Sequence, residues 1–286
     1  MNSFTALSFC SKIIFVEESE VRVFPANYKI ALLMTLLAGL ATVIGGCFTF
    51  FIKRTNIRGL SIGLGFSAGV MIFLSFTEIL TGAKDLLSKY FPNNADWMVF
   101  IGFTLGIITA ILIDYFIPDH IANDLFSTKE ECTLQQHKIK RAGLLTAIAI
   151  CVHNFPEGMV TFFVTTQNVT LGFSVAVAIA LHNIPEGIAV ALPIYHATGK
   201  KRLAIWYSFL SGISEPIGAL IGLFVLQTFL PQLAVGFLFA SVAGIMVYIS
   251  FDTILPLSRD YGDGHYSVFG IISGILFIWG SLLLMK

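Results

Sequence analysis

Several stretches of this chain run for about 20 residues with almost no charge. A soluble amphipathic helix shows polar residues every third or fourth position, whereas an apolar run of about 20 residues is long enough to cross a hydrocarbon core of roughly 30 Å. Eight such runs fall at about residues 30–52, 59–82, 97–117, 142–165, 170–195, 203–229, 234–256 and 267–285. Lipid offers no partner to exposed backbone groups, and these runs are too long for the ten-residue alternating strands of a barrel, so each is expected to be an α-helix. The fold class implied is an all-α integral membrane protein with eight transmembrane helices. Composition agrees, with 56% hydrophobic residues, 12% charged and a mean hydropathy of +0.84. Residues 1–29 read as an extra-membrane tail without a signal-peptide pattern, residues 30–286 as one eight-helix domain, and residues 118–140 as its only long polar loop.

The net charge is zero, so direction comes from where the charges fall. With the N-terminus outside, the inner loops hold Lys53, Arg54, Arg58, Lys129, Lys138, Lys140, Arg141, Lys200, Lys201, Arg202 and Arg259, eleven in all, against six in the outer segments. Positive residues concentrate on the cytoplasmic side, which favours both termini outside, and no nucleic-acid partner is expected. Cys10, Cys47, Cys132 and Cys151 form no C-x-x-C pair, so no disulfide framework is expected.

Within the fourth and fifth runs the chain places "HNFPEG", residues 153–158, and "HNIPEG", residues 182–187. At about 100° per residue, Glu157 lies about 40° from His153 and about 60° from Asn154, angularly between them on one helix face. His182, Asn183 and Glu186 repeat the arrangement. A turn near residues 166–169 leaves about 9 to 12 residues of helix on either side, about half a bilayer, so antiparallel neighbours would bring the motifs face to face. Pro156 and Pro185 deprive the carbonyls of Val152 and Leu181 of their partners and should kink the helices, and Gly158 and Gly187 permit close approach. A third version, "SGISEPIG", puts Glu215 before Pro216 in the sixth run.

An ionisable group at mid-membrane costs about 2.5 to 3.5 kcal/mol on insertion scales, so three glutamates represent roughly 8 to 10 kcal/mol. No Lys or Arg falls within runs four to six, leaving protonation or a bound cation to neutralise them. Two imidazoles, three carboxylates and two amide oxygens suit a divalent transition metal, and the absence of thiolate argues against Cu(I). Two such ions would bring the site close to neutrality.

The two motifs in consecutive spans, followed by "SEPIG", resemble the signature of the ZIP family of divalent-metal transporters, most closely its bacterial ZupT-type branch. The resemblance extends over about residues 30–286, including "DYFIPDHIAND" and "GIMVYISFDTILP". It implies a three-plus-two-plus-three bundle with inverted pseudo-symmetry and no enzymatic activity. The implied activity is uptake of Zn2+, with Fe2+, Mn2+, Co2+ and Cd2+ as further cargo, into the cytoplasm across the cell inner membrane, the metal being substrate and not cofactor. It implies a first metal site of His153, Glu157, His182 and Glu186 and a second of Asn154, Asn183 and Glu215, with Glu157 and Glu186 shared. It also implies an elevator-like movement of spans one, four, five and six. Relatives often carry a His-rich cytoplasmic loop, where this chain has only His120 and His137.

Blander readings compete. A lone membrane histidine often serves only helix–helix hydrogen bonding, although matched spacing in two spans argues against that here. Pro193 and the pairs Gly65/Gly69, Gly102/Gly106 and Gly218/Gly222 read as packing, and small-residue faces of this kind would allow a homodimer. Glu78, Asp114 and Asp252 fall near expected helix ends, where hydration or snorkelling outweighs ligation, with the lining of an entrance or exit as the alternative. His196 and His265 are expected to be solvated at cytoplasmic span ends. An intramembrane metal hydrolase would use similar ligands, but no H-E-x-x-H is present. A metal-gated channel or receptor is the third class. Divalent metals and membrane lipids are the partners expected.

Overall fold

The first span begins with Tyr28 just after Asn27 and runs helical to Cys47, closing in a 3-10 turn at Phe48–Phe50. The computed structural model describes residues 27–53, 55–116, 134–225, 232–260 and 264–284. Most of the expected tail and of the 118–140 loop, with Cys10, Cys132 and His120, lies outside the described residues, as does the side chain of His137. The other crossings are Ile57–Ser88, Ala95–Phe116, Leu134–Gln167, Val169–Thr198, a composite sixth, Gln232–Asp260 and Gly264–Leu284. No strand occurs among the described residues. Seven of these helices are long and apolar enough to cross a membrane unaided. The sixth crossing is two twelve-residue helices, Lys201–Gly212 and Ser214–Val225, broken at Ile213. Pro216 has no N–H to return to the Gly212 carbonyl, which is why the break comes there. By contrast the helix continues through Pro156 in the fourth span and through Pro185 and Pro193 in the fifth.

Three boundaries differ from the sequence expectation. The fourth helix starts at Leu134, so the polar loop ends earlier than 140, and Lys140 is buried instead of lying in a loop. The second crossing extends to Ser88, which moves Glu78 from a helix end into its interior. It sits there in a π-helical turn, Ser75–Ile79, and a matching π turn, Ser250–Ile254, interrupts the seventh crossing. Such turns inside long helices frequently mark functional positions. Each is tied by the hydroxyl of its first serine, Ser75 to the Met71 carbonyl and Ser250 to the Met246 carbonyl, both at 2.7 Å.

The packing is doubled. The first span packs on the fifth as the sixth packs on the fourth, and the second packs on the eighth as the seventh packs on the third. Small residues set each crossing. A Cβ at Gly69 would strike the Ile271 carbonyl and one at Gly244 the Phe103 carbonyl, while Gly274 meets Phe66 as Gly106 meets Ser241. These matches are those of an inverted repeat exchanging spans one to three with six to eight and span four with five. They also use the small-residue faces inside the chain, so Gly65, Gly69, Gly102, Gly106 and Gly218 are not surfaces for a second copy. Facing outward instead are large apolar side chains such as Leu37, Leu105, Phe173, Phe269 and Leu276, as a lipid-facing surface requires.

Candidate metal centre

Spans four and five reverse at Asn168, whose N–H bonds the Val164 carbonyl at 2.9 Å while its own carbonyl accepts from Gly172 at 2.8 Å. That tight return makes the two helices antiparallel and places residues 153–157 opposite 182–186. The contact is crosswise: His153 Nε2 lies 2.9 Å from Glu186 Oε1, and His182 Nε2 lies 3.3 Å from Glu157 Oε2. Each histidine therefore engages the glutamate of the other helix.

The asparagines look the other way, toward spans one and six. Asn154 donates to the Ser211 carbonyl at 3.3 Å, and Asn183 donates to the Ala38 carbonyl at 2.9 Å. Asn183 also donates to Glu215 Oε1. Glu215 is held there because the sixth span comes within backbone contact of the fourth: a Cβ at Gly158 would overlap the Glu215 backbone, and one at Gly218 would overlap the Phe155 carbonyl. All seven side chains singled out in the sequence, His153, Asn154, Glu157, His182, Asn183, Glu186 and Glu215, are buried, the most exposed being Glu157 at 7%. They meet as three side-chain pairs, His153 with Glu186, His182 with Glu157 and Asn183 with Glu215, while Asn154 bonds the Ser211 carbonyl.

The absence of Lys and Arg left protonation or a cation as the ways to neutralise the glutamates; two of the three carboxylates lie against imidazoles, which offset their charge only when protonated. Among the described residues no three His, Cys, Asp or Glu side chains are grouped closely enough to hold a cation as they stand, the imidazoles and carboxylates being in contact with each other. Cation donors nonetheless remain. Asn154 Oδ1, Asn183 Oδ1, Glu186 Oε2 and Glu215 Oε2 are buried oxygens without a hydrogen-bond partner, and such atoms are rare in settled structures.

A cavity lies beside the centre, touching Glu157 and His182. Its polar lining is Glu78, Glu157 and His182, set among apolar side chains including Leu74, Val160, Val175, Ile179 and Phe239. Following the helices, these residues lie between the centre and the end that carries Tyr28, the Asn168 turn and Leu284. Toward the opposite end lies an extensive hydrophobic core, in which Ile139, Leu144, Ile150, Leu192 and Ile194 cluster with Leu60, Leu64 and Met246. Glu78 lines the cavity from the interior of the second crossing and does not lie at a helix end. Asp114 pairs with Arg141 at 3.0 Å, with a quarter to a third of each side chain exposed, so its contribution to stability is small. His196 is buried, with Nδ1 3.0 Å from the Leu192 carbonyl, against the expectation of solvation, whereas His265 is exposed as expected. Cys47 and Cys151 are free thiols.

Two comparisons bear on this arrangement. A family model described as ZIP Zinc transporter matches residues 119–283. The chain is 44% identical over 275 residues to a protein of Clostridium perfringens named zinc transporter ZupT, covering 90% of this chain and 96% of that one. The chain belongs to the ZIP family. ZupT proteins of Akkermansia muciniphila, at 47% identity over 86% of this chain and 94% of theirs, and of Chlorobaculum parvum, at 49% over 88% and 96%, are similarly close. ZIP proteins are transporters and not enzymes, and zinc is their substrate, not a cofactor. The ZIP chain is accordingly a multi-pass membrane protein. Sequence reasoning about this ZIP chain missed the partners supplied by spans one and six, the carbonyls of Ala38 and Ser211. The signal was available in "GLATVIG", residues 39–45, against "GISEPIG", residues 212–218, which share the glycine spacing.

Proposed function

We propose that this protein carries divalent transition-metal cations, zinc foremost, into the cytoplasm by alternating access of a mid-membrane binuclear centre. His153, Glu157, His182 and Glu186 hold the first ion. Asn154, Asn183 and Glu215 hold the second, with Glu157 and Glu186 bridging. The observation that carries this reading is the buried set of seven donors on spans four to six, with a cavity lined by Glu157 and His182 on one side and the hydrophobic core toward the opposite end. Charge placement supports calling that end the outside. Lys53, Arg58, Lys140, Arg141, Lys200, Lys201, Arg202 and Arg259 all cluster at the opposite end, so both termini face out and the cell inner membrane is the natural setting. The asparagine-rich ligand set leaves no evident general base, which weighs against a metal hydrolase. The mixed nitrogen and oxygen set suits Fe2+, Mn2+, Co2+ and Cd2+ as well as Zn2+. A homodimer would have to form through the lipid-facing apolar faces.

Each imidazole Nε2 that faces a carboxylate donates a hydrogen to it, so binding an ion through that nitrogen requires loss of the proton, and metal and proton compete for the same atoms. Acidifying the outer solution should therefore raise the apparent KM for zinc, measured as initial influx into proteoliposomes. A KM constant between pH 8 and about 6 would contradict this competition. Flux itself tests the whole reading: sustained, saturable zinc accumulation inside sealed vesicles distinguishes a carrier from a receptor or a hydrolase.

Glu78 supplies the negative charge along an otherwise apolar approach, and such a charge raises the local cation concentration. Glu78→Gln should raise the zinc KM several-fold, with the difference shrinking as ionic strength rises and maximal rate retained. Equal KM values for variant and wild type at low salt would remove Glu78 from the pathway.

A further inference from the structure

Glu215 has no acidic counterpart in the first half of the molecule, although the rest of the centre is matched. The inverted repeat sets Gly39, Thr42 and Gly45 against Gly212, Glu215 and Gly218. A Cβ at Gly187 would strike the Thr42 carbonyl as one at Gly158 would strike that of Glu215. Thr42 Cβ stands 3.2 Å from a Cβ built on Gly212, and Glu215 Cβ stands 3.5 Å from one built on Gly39. The carbonyls taken by Asn183 and Asn154 belong to Ala38 and Ser211, each four residues before the position in question. The repeat thus gives Thr42, relative to Asn154, the place that Glu215 holds relative to Asn183.

The hydroxyl is an independent observation. Buried helical threonines ordinarily donate to the carbonyl one turn back, as Thr35 does to Ala31 at 2.7 Å and Thr49 to Gly46 at 2.9 Å on this same span. Thr42 is fully buried and its Oγ1 has no partner, while the carbonyl it would use, that of Ala38, is taken by Asn183. Asn154 Oδ1 is likewise buried without a donor. A cation would satisfy both oxygens. Building on the metal-pathway reading above, we infer that Thr42 is a further cation-binding position, supplying a neutral oxygen on the Asn154 side of the centre. A hydroxyl where the repeat has a carboxylate keeps the acidic count at three against the four charges of two divalent ions. The cargo is thereby held one charge short of neutrality, which favours its release.

Full-length Thr42→Val, Thr42→Ser, Thr42→Asp and Glu157→Ala proteins, reconstituted in vesicles, test this with zinc and manganese influx and equilibrium zinc binding. Thr42→Val keeps the shape and loses the oxygen, so the zinc KM should rise about tenfold or more, with metal-free thermal stability unchanged. Thr42→Ser should restore it. Thr42→Asp should bind zinc more tightly, turn over more slowly and shift preference toward manganese, a cation suited to oxygen ligands. Wild-type KM, turnover and metal preference in both Thr42→Val and Thr42→Asp, with Glu157→Ala inactive, overturn this inference alone. Normal flux in Glu157→Ala would instead overturn the metal-pathway reading beneath it. If Thr42→Val does not fold, Thr42→Asp behaving like Thr42→Ser overturns the inference.

Discussion

Replacing Glu157 or Glu186 with alanine should reduce zinc influx to below about one hundredth of wild type while the protein still inserts and folds. Each of these carboxylates is proposed to bridge two ions, so its removal takes a ligand from both at once, and loss of even a supporting group around a metal typically costs about 10- to 100-fold. Folding is a separate matter. Glu157 and Glu186 are paired only with His182 and His153, and an imidazole left alone can be neutral, so the structural loss is about that of one buried hydrogen bond, about 1 to 3 kcal/mol. Removing a buried carboxylate from lipid offsets part of that. Two readouts separate the roles. In detergent without metal the variants should melt near wild type. On adding zinc at about 100 times the wild-type Kd, the wild type should gain roughly 2.7 kcal/mol of stability that the variants lack. Glu157→Gln and Glu186→Gln, which keep shape and a hydrogen-bonding oxygen, should show the same loss of zinc response. Zinc accumulation at the wild-type rate in either alanine variant, with the protein correctly inserted, would falsify the assignment of the centre.

The outline of this molecule is legible in the sequence because membrane helices must satisfy their own backbone. The long uncharged runs therefore yield eight crossings, and the 29-residue separation of His153 and His182 yields their opposition across an antiparallel pair. Depth and facing follow from helix geometry alone. Partnership does not. Nothing in the spacing of "HNFPEG" says that His153 meets Glu186 and not Glu157, since that depends on the rotation of one helix against another. The rotation is set by Gly158 against the Glu215 backbone and Gly187 against Thr42. The second half of the centre was harder still to read, because Ala38 and Ser211 contribute backbone carbonyls and leave no mark on residue type. Glu78 was misplaced for a different reason. Counting hydropathy ends the second crossing near residue 82, whereas Lys84 and Asp85 are carried on one more helical turn and Lys84 pairs with Asp96 of the next span. The π turns were also legible in principle, as "SFTEIL" at residues 75–80 and "SFDTIL" at residues 250–255 are near copies, but they become interpretable only once the inverted repeat is seen.

If glycines fix that rotation, adding a single methyl group at Gly158 or Gly187 should destabilise the protein, although helix propensity predicts the opposite. Alanine is favoured over glycine inside a helix by about 1 kcal/mol, so a glycine kept only by chance would gain stability on replacement. At Gly187 the new Cβ would lie within 3.0 Å of the Gly46 N–H and collide with the Thr42 carbonyl; at Gly158 it would collide with the Glu215 backbone. Those neighbours are main chain of the first and sixth spans and cannot rotate aside, so the helices must separate. Overpacking costs typically 1 to 3 kcal/mol in a core with room to adjust, and here the separation also pulls Asn183 from Ala38 and Glu215 from Asn183. For a chain of this size about 3 kcal/mol corresponds to a fall in melting temperature of roughly 6 to 12 °C. Gly280→Ala is the internal control: Gly280 lies in the last span with nothing within 4 Å of its Cβ position, so its replacement should be neutral or mildly stabilising. Zinc should not rescue Gly158→Ala or Gly187→Ala, because the donors themselves are displaced. That distinguishes them from ligand variants, which lose the metal response but keep the metal-free melting point. A melting temperature for Gly187→Ala equal to or above that of Gly280→Ala would mean that spans one and five do not meet through this glycine, and the crosswise pairing of His153 and His182 would lose its structural cause.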